Sequence, residues 1–291
     1  MKWTEYEESV YLECRRIFGD RVEKNIHIQG EYSGERRQID VYVPEVMIEG
    51  VGGPMIVDAK YYSRKVDVKG VDSMIGMLRD VNAKYGLLIS SKGFSSAAIK
   101  RAHNSPEGLQ VDILSVDELQ VLQSPSAIVY SGSHGFYIQS PFGWIIDGTR
   151  RDGTLAFLYR RGIRTLEDVA KEKEFMYINI FAKDDMIASI DDLLEFQNET
   201  SLSPIDSAYI DIVHDEEFTL RYVTASSYPS VEITGFKEFD NCILFCVLFC
   251  PDVMIKRDVE KLKFILRSTI PMNVRICDEG HQEDKSRNDG T

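Results

Sequence analysis

The chain has no long hydrophobic run. Its longest late apolar stretch, "CILFCVLFC" from Cys242 to Cys250, falls far short of the ~20 residues a membrane span needs, and no apolar segment follows the opening "MKWTEYEESV". A soluble, cytoplasmic protein is the expectation. Cysteine is scarce: five residues, an odd number in a chain without a signal peptide, argue for reduced thiols rather than a disulfide framework. Cys242, Cys246 and Cys250 recur every four positions, which on a strand sets them on one face. No histidine lies near enough for a zinc site, so they read as small buried hydrophobes. Histidine is sparse too, and His134 and His214 lack partners at metal-ligand spacing. Internal repeats are absent.

Basic charge is also in deficit, with 34 Lys+Arg against 47 Asp+Glu and a net charge of -13. The imbalance is uneven: residues 1–125 carry a net of -3 and residues 126–291 a net of -10. A nearly neutral N-terminal module remains compatible with binding a polyanion through a local basic patch.

What is present is a length of 291 residues, about two domains' worth, and 43% hydrophobic content. "TEYEESVYLECRRIFGD" reads as a helix capped by Thr4, with Glu7 in the capping-box position and Gly19 as its stop. Its stripe of Val10, Cys14, Ile17 and Phe18, run back one turn, places Glu7 rather than Glu8 inward; a one-residue shift exchanges them. A polar stretch with Gly30 and Gly34 leads to the strand "RQIDVYV", where Ile39, Val41 and Val43 alternate against Gln38, Asp40 and Tyr42. "EGVGGP" then reads as a turn and "MIVDAKYY" as the returning strand, with Asp58 and Lys60 on one face.

After Gly70 follow the helix "VDSMIGMLRDVNAKY", the buried strand "GLLISS", the helix "SSAAIKRAH", and a last strand and short helix in "LQVDILSVDELQVL". This α, β, β, α, β, α, β order is that of a small mixed sheet flanked by helices, here an α/β unit over residues 1–124. A linker is expected at 125–134, then an α+β domain with an antiparallel sheet at 135–277, and a disordered tail at 278–291. In the second domain Trp144, Phe142 and Pro141 are expected in the core.

Acid-x-Lys occurs three times, about as often as composition alone predicts: Asp58–Lys60, Asp67–Lys69 and Glu283–Lys285. Only the first follows a buried strand with a second acid, Asp40, on its hairpin partner. Two carboxylates across ~5 Å of an antiparallel pair repel unless a cation lies between them, and hard oxygen donors suit Mg²⁺ or Mn²⁺. The plainer reading is an ion pair of Lys60 with Asp40 or Asp58 at a sheet end. Asp67–Lys69 is assigned to the surface. Arg36, Arg37, Arg64, Lys65 and Lys69 flank the site in sequence and are candidates for phosphate contact. "SSKGFSS" offers serines and main-chain N–H groups at a strand-to-helix turn, where ordinary helix capping is the simpler use.

The run "QIDVYV…MIVDAKYYSRKVDVKGVDSMIGML…GLLISSKGFSSAA", with the early helical "YEESV", resembles the Mrr-like branch of the PD-(D/E)XK, or restriction-endonuclease-like, superfamily over about residues 4–120. The resemblance implies a metal-dependent DNA endonuclease of restriction or phage defence, with Mg²⁺ or Mn²⁺ as cofactor. By it Asp40 and Asp58 are metal-binding acids, Lys60 is the catalytic lysine, Glu7 is the supplementary helix acid, and Ala59 joins the metal-binding positions. Relatives more often carry Glu where Asp58 stands. Other readings are a catalytically silent fold that binds nucleic acid or protein, and a junction or repair nuclease. DNA is the expected partner, double-strand cutting favours a homodimer, and the acidic second half, which faintly resembles PsbP-like domains, is a candidate for docking a protein.

Overall fold

The computed structural model describes residues 2–48, 51–106, 108–121, 126–149, 151, 153–161, 167, 169, 171, 173–202, 208–226, 228 and 231–274. The expected tail at 278–291 lies outside them. Among the described residues no helix is long and apolar enough to cross a membrane.

The first half is α1 (Trp3–Phe18), β1 (Glu23–Gln29), β2 (Arg36–Ile48), β3 (Val51–Lys60), α2 (Val68–Asp80), β4 (Tyr85–Ser90), α3 (Ser96–His103), β5 (Gln110–Leu114) and α4 (Val116–Val121). Its strands form one mixed sheet in the order β1-β2-β3-β4-β5. The first three are antiparallel, whereas β3, β4 and β5 run parallel through the crossovers α2 and α3. Central position explains composition: Met55–Ala59 of β3 and all of β4 are buried, because one sheet face carries α1 and α4 and the other α2 and α3. Truncating fully buried Leu87 to Ala would cost about 2–5 kcal/mol on the usual scale for such cores.

Three local expectations change. The polar stretch before Arg36 contains β1, an edge strand whose Ile26 and Ile28 pack beneath while the rest faces solvent. Helix α1 starts one residue before Thr4: the main-chain N–H of Lys2 donates to the Glu5 carboxylate at 2.8 Å, so Thr4 does not cap it. Gly19 ends the helix as expected, at φ 89°, a conformation that favours glycine. Val51, Gly52 and Gly53, expected in a turn, already pair with Ile48, Met47 and Val46. Pro44, which has no N–H to give a ladder, sits where the register shifts between Val43 and Val46.

The second half contains β6 (Ser126–Ser131), β7 (His134–Gln139), β8 (Trp144–Asp147), β9 (Ala156–Arg160), β10 (Phe175–Ala182), α5 (Ile190–Gln197), β11 (Tyr209–His214), β12 (Thr219–Thr224), β13 (Val231–Glu238), β14 (Cys242–Cys250), α6 (Ile255–Ser268) and β15 (Ile270–Asn273). Seven strands form an antiparallel sheet, β11-β12-β13-β14-β10-β9-β8, and β15-β7-β6 form a smaller one. Residues 126–131, expected in the linker, are therefore a strand, held by pairing with β7. Cys242, Cys246 and Cys250 are buried in the core with Trp144, as the four-residue spacing implies. Burial pushes the pKa of the Cys246 thiol far above its ordinary value and keeps it protonated. Phe142 instead packs partly buried against the first half's core, its ring 5.7 Å from that of Tyr85.

One anchor joins distant parts of the first half. The buried carboxylate of Asp80, at the end of α2, accepts from the N–H groups of Tyr32 and Ser33, from the Ser33 hydroxyl and from Arg37. These bonds hold it far below the usual aspartate range. Its native pKa is lowered, so its stabilisation is complete above the ordinary value of 3.8 and is lost as pH falls below that. Asp80→Asn is expected to lower the urea midpoint at pH 7, and the gap from wild type should close below about pH 4; a gap independent of pH contradicts the assignment.

Candidate active site

The cleft lies where the end of β3 meets β2 and the first turns of α1. Asp40, Asp58, Lys60, Glu7, Trp3, Tyr61 and Tyr62 line a cavity of about 450 Å³. Continuing the register Val41↔Val57 by one step sets Asp40 opposite Asp58.

Both strands on the β1–β2 side are irregular at this point. Asn25, facing Asp40 in β1, has φ 50°, and neither Asn25 nor Asp40 enters the Cα pairing that is otherwise continuous from Glu23 to Gln29. Ile39 packs with the α2–α3 core, whereas Val41 and Val43 pack with the α1 core, so the strand turns over at Asp40. The alternation read from sequence, with Ile39, Val41 and Val43 on one face, breaks there. The reason is visible in the hydrogen bonding: Asp40 uses Oδ2 to accept the Ala59 N–H at 2.9 Å, so a side chain takes the place of a strand carbonyl.

Asp58 is 7% exposed, at the end of the buried β3 run. It hydrogen-bonds with Asp40, and its Oδ2 lies 2.7 Å from Lys60 Nζ. Burial pushes its pKa up to about 6; the Asp40 carboxylate acts in the same direction and Lys60 opposes it. Burial by itself would lower Lys60, but the charge and hydrogen bond of Asp58, with Tyr62 and Asp40, together outweigh it and hold the ammonium above its ordinary value. Glu7 is raised by burial, with Asp40 and Asp58 adding to the shift, so its carboxyl is in the field of both. Glu8 instead pairs with Lys24 at 2.6 Å on the surface, whereas Glu7 lines the cleft.

The ion pair expected under the plainer reading is thus present between Lys60 and Asp58. It leaves the Asp40–Asp58 contact with an excess of negative charge. Among the described residues no group of three or more His, Cys, Asp or Glu side chains is arranged to hold a metal. The donor chemistry nonetheless fits a hard divalent cation, which takes one or two carboxylates and completes its shell with water. Two carboxyl groups in contact, one with a raised pKa, are what such a cation would relieve.

The surroundings sort the remaining candidates. Arg36, Arg64, Lys65 and Lys69 are exposed, whereas Arg37 is partly buried and uses its Nε to bind Asp80. Asp67 caps α2 by accepting from Gly70 N–H, which confirms its pair with Lys69 as surface. The serines of "SSKGFSS" are structural: Ser95 caps α3 and Ser91 Oγ donates to the Tyr62 carbonyl at 3.3 Å. Together with the Val66↔Phe94 bridge they pin the segment that follows Lys60. Sequence reasoning missed the exposed aromatics Trp3, Tyr61 and Tyr62 around the acids; their only signal was "AKYY" directly after the acid.

Residues 21–122 match the family model Mrr_cat, described as restriction endonuclease. The matched segment contains Asp40, Asp58 and Lys60 and excludes Glu7. No curated protein matches the chain. Among solved structures it is similar to the cyanobacterial PsbP (CyanoP) of Synechocystis sp. PCC 6803, at 11% identity over 50% of this chain and 92% of that one, with a TM-score of 0.32. LpqN, involved in cell envelope biogenesis of Mycobacterium tuberculosis, matches at 10% identity over 50% and 90%, with a TM-score of 0.35. A protein of Bacteroides thetaiotaomicron matches at 12% over 50% of each chain, with a TM-score of 0.28.

A raised carboxyl pKa favours the native state at low pH, and that advantage is lost as pH rises from the ordinary 3.8 through about 6. In metal-free buffer at pH 7.5, Asp58→Asn is therefore expected to be more stable than wild type, by on the order of 2–3 kcal/mol, with the difference vanishing near pH 4. Millimolar MgCl₂ should raise the wild-type melting temperature and leave that of Asp58→Asn unchanged. A variant less stable than wild type at both pH values contradicts this electrostatic account.

Proposed function

We propose that the protein is a metal-dependent endonuclease that hydrolyses phosphodiester bonds in DNA, with the chemistry at the Asp40–Asp58–Lys60 cleft. The observation that carries this reading is the contact of two carboxylates beside a lysine in one open cleft, inside the segment that matches the restriction endonuclease model.

Asp40, Asp58 and the Ala59 carbonyl are the positions assigned to Mg²⁺ or Mn²⁺, with Glu7 as a further acid above them. When bound, the cation supplies Lewis-acid polarisation of a phosphoryl oxygen and a lower pKa for coordinated water. The chain's own residues supply the rest. Ala59 N–H fixes the Asp40 carboxylate, and burial together with its partner fixes Asp58. The Lys60 ammonium, kept protonated by Asp58, is placed to orient the attacking water or to offset charge growing on the phosphate. Arg36, Arg64, Lys65 and Lys69 are assigned to backbone phosphates, contacts that position a duplex without reading its sequence. Restriction or defence is the role that the family match favours.

The test is incubation of the pure protein with supercoiled plasmid, linear duplex and branched DNA, in Mg²⁺, Mn²⁺ or EDTA. Cleavage that requires metal is expected on at least one substrate, and Lys60→Ala or Asp58→Ala should reduce it about 10²-fold or more. No cleavage on any substrate, or variants as active as wild type, overturns the reading. DNA retained without cleavage would support a silent fold used for binding.

A further inference from the structure

One cavity lies away from the acids. It encloses about 680 Å³ between the first half's α3–β5 connection and the start of α6, a volume suited to a small molecule. Val51 and Tyr85 line it at the opening ends of β3 and β4; Tyr85 lies opposite Met55, so Asp58 and Lys60 stand roughly 10 and 17 Å farther along β3 at ~3.3 Å per strand residue, and the two cavities share no lining residue. A ligand here does not touch the proposed cleavage site.

Its polar lining is cationic. Lys84, Arg160, Lys256, Arg257 and Lys261 face the cavity, against one lining acid, Glu260. Arg160 is 6% exposed and pairs through Nε with Glu174 at 2.7 Å, yet its Nη2 has no hydrogen-bond partner among the described residues. The same is true of Arg257 Nη1. A buried guanidinium N–H left unpaired costs the desolvation of that group, and Asp258 Oδ2 in the same cluster is unpaired too, so the charged groups behind the cavity wall are not fully satisfied among the described residues. Glu174 and Asp258 lie behind these guanidiniums and fix their positions without filling the cavity. A short helical turn at Asp252–Met254 leads into α6, and its carbonyl at Asp252 accepts the Ile255 N–H, so the cations of the cavity come from side chains. His103 is kept neutral, by burial first and Arg160 next, its pKa pushed down to about 4, as expected in a positive field. Gly143, at φ 77°, leaves room for the guanidinium: a Cβ there would meet Arg160 Nη1 at 3.3 Å. Apolar walls complete the cavity, with Val51, Leu109, Phe142, Val253 and Met254.

We propose that this cavity is a binding site for a small phosphorylated organic molecule, its phosphate on Arg160, Lys256 and Arg257 and its body against Leu109 and Phe142. Both halves contribute, and the seam is already held there by Arg161 on Asp112 at 2.8 Å and by Lys261, which donates to Gln110 Oε1 and to the Phe142 carbonyl. An occupant would tie α6 to the α3–β5 connection, and so bear on the sheet that carries Asp58.

Calorimetric titration of the full chain, without divalent cations, with inorganic phosphate, pyrophosphate and adenosine monophosphate tests this. Saturable binding is expected, tighter for the nucleotide than for phosphate because its body covers the apolar walls. Lys256→Glu reverses a charge at an exposed position, and Val253→Trp fills the mouth from a residue that is 82% exposed, so both should fold. Each should weaken binding at least tenfold, while Asp58→Asn binds as wild type does. The proposal is overturned if no probe binds, if the two cavity variants bind like wild type, or if Asp58→Asn abolishes binding, which would place the ligand in the acidic cleft.

Discussion

Everything proposed for the cleft depends on one unfavourable contact, the carboxyl groups of Asp40 and Asp58 held against each other at the end of a buried strand. In water the two would separate. Here β2 and β3 are paired up to Val41 and Val57, the Ala59 N–H holds Asp40, and the cores on both sides of the sheet keep β3 from moving. The sheet's packing therefore sustains an electrostatic strain that Lys60 relieves only in part. A site of this kind is stable enough to persist and charged enough to draw a cation, a compromise common where stability is exchanged for function.

Legibility in the sequence followed the range of the interaction. Asp58 and Lys60 were readable because a buried run of period two ends on them, and Asp40 because a hairpin register reaches it. Glu7 followed from helical phase. What was not readable depends on contacts distant in sequence or on local breaks in periodicity. Asn25, in the left-handed region, interrupts β1 and hides its Ile26 and Ile28 alternation among polar residues. Asp80 organises the turn from Gly30 to Arg37 across more than forty residues, and no pattern near it announces that. The same long-range bond gives Arg37 a partner that its sequence neighbours do not reveal. Strand β6 was mistaken for linker because its partner β7 supplies the pairing that "SPSAIVYS" does not advertise.

The two halves meet through charge as well as packing. Arg161, Lys261 and Arg160 are all nearly buried, and each is paired at least once: Arg161 reaches across to Asp112, and Lys261 to Gln110. Buried ion pairs of this sort contribute little net stability but are intolerant of losing one partner. They fix how α6 and β9 sit against β5, and they leave the cationic cavity on the same seam. The acidic excess of the second half is thus not spread over its contact with the first, which is locally basic.

The most direct measurement is a carbon-13 NMR titration of the Asp58 carboxyl, assigned by comparison with Asp58→Asn, in metal-free buffer and again in millimolar Mg²⁺. The account predicts a midpoint near 6 without metal and a fall of a unit or more when Mg²⁺ is present. An ordinary midpoint near 4 that Mg²⁺ does not move would contradict it.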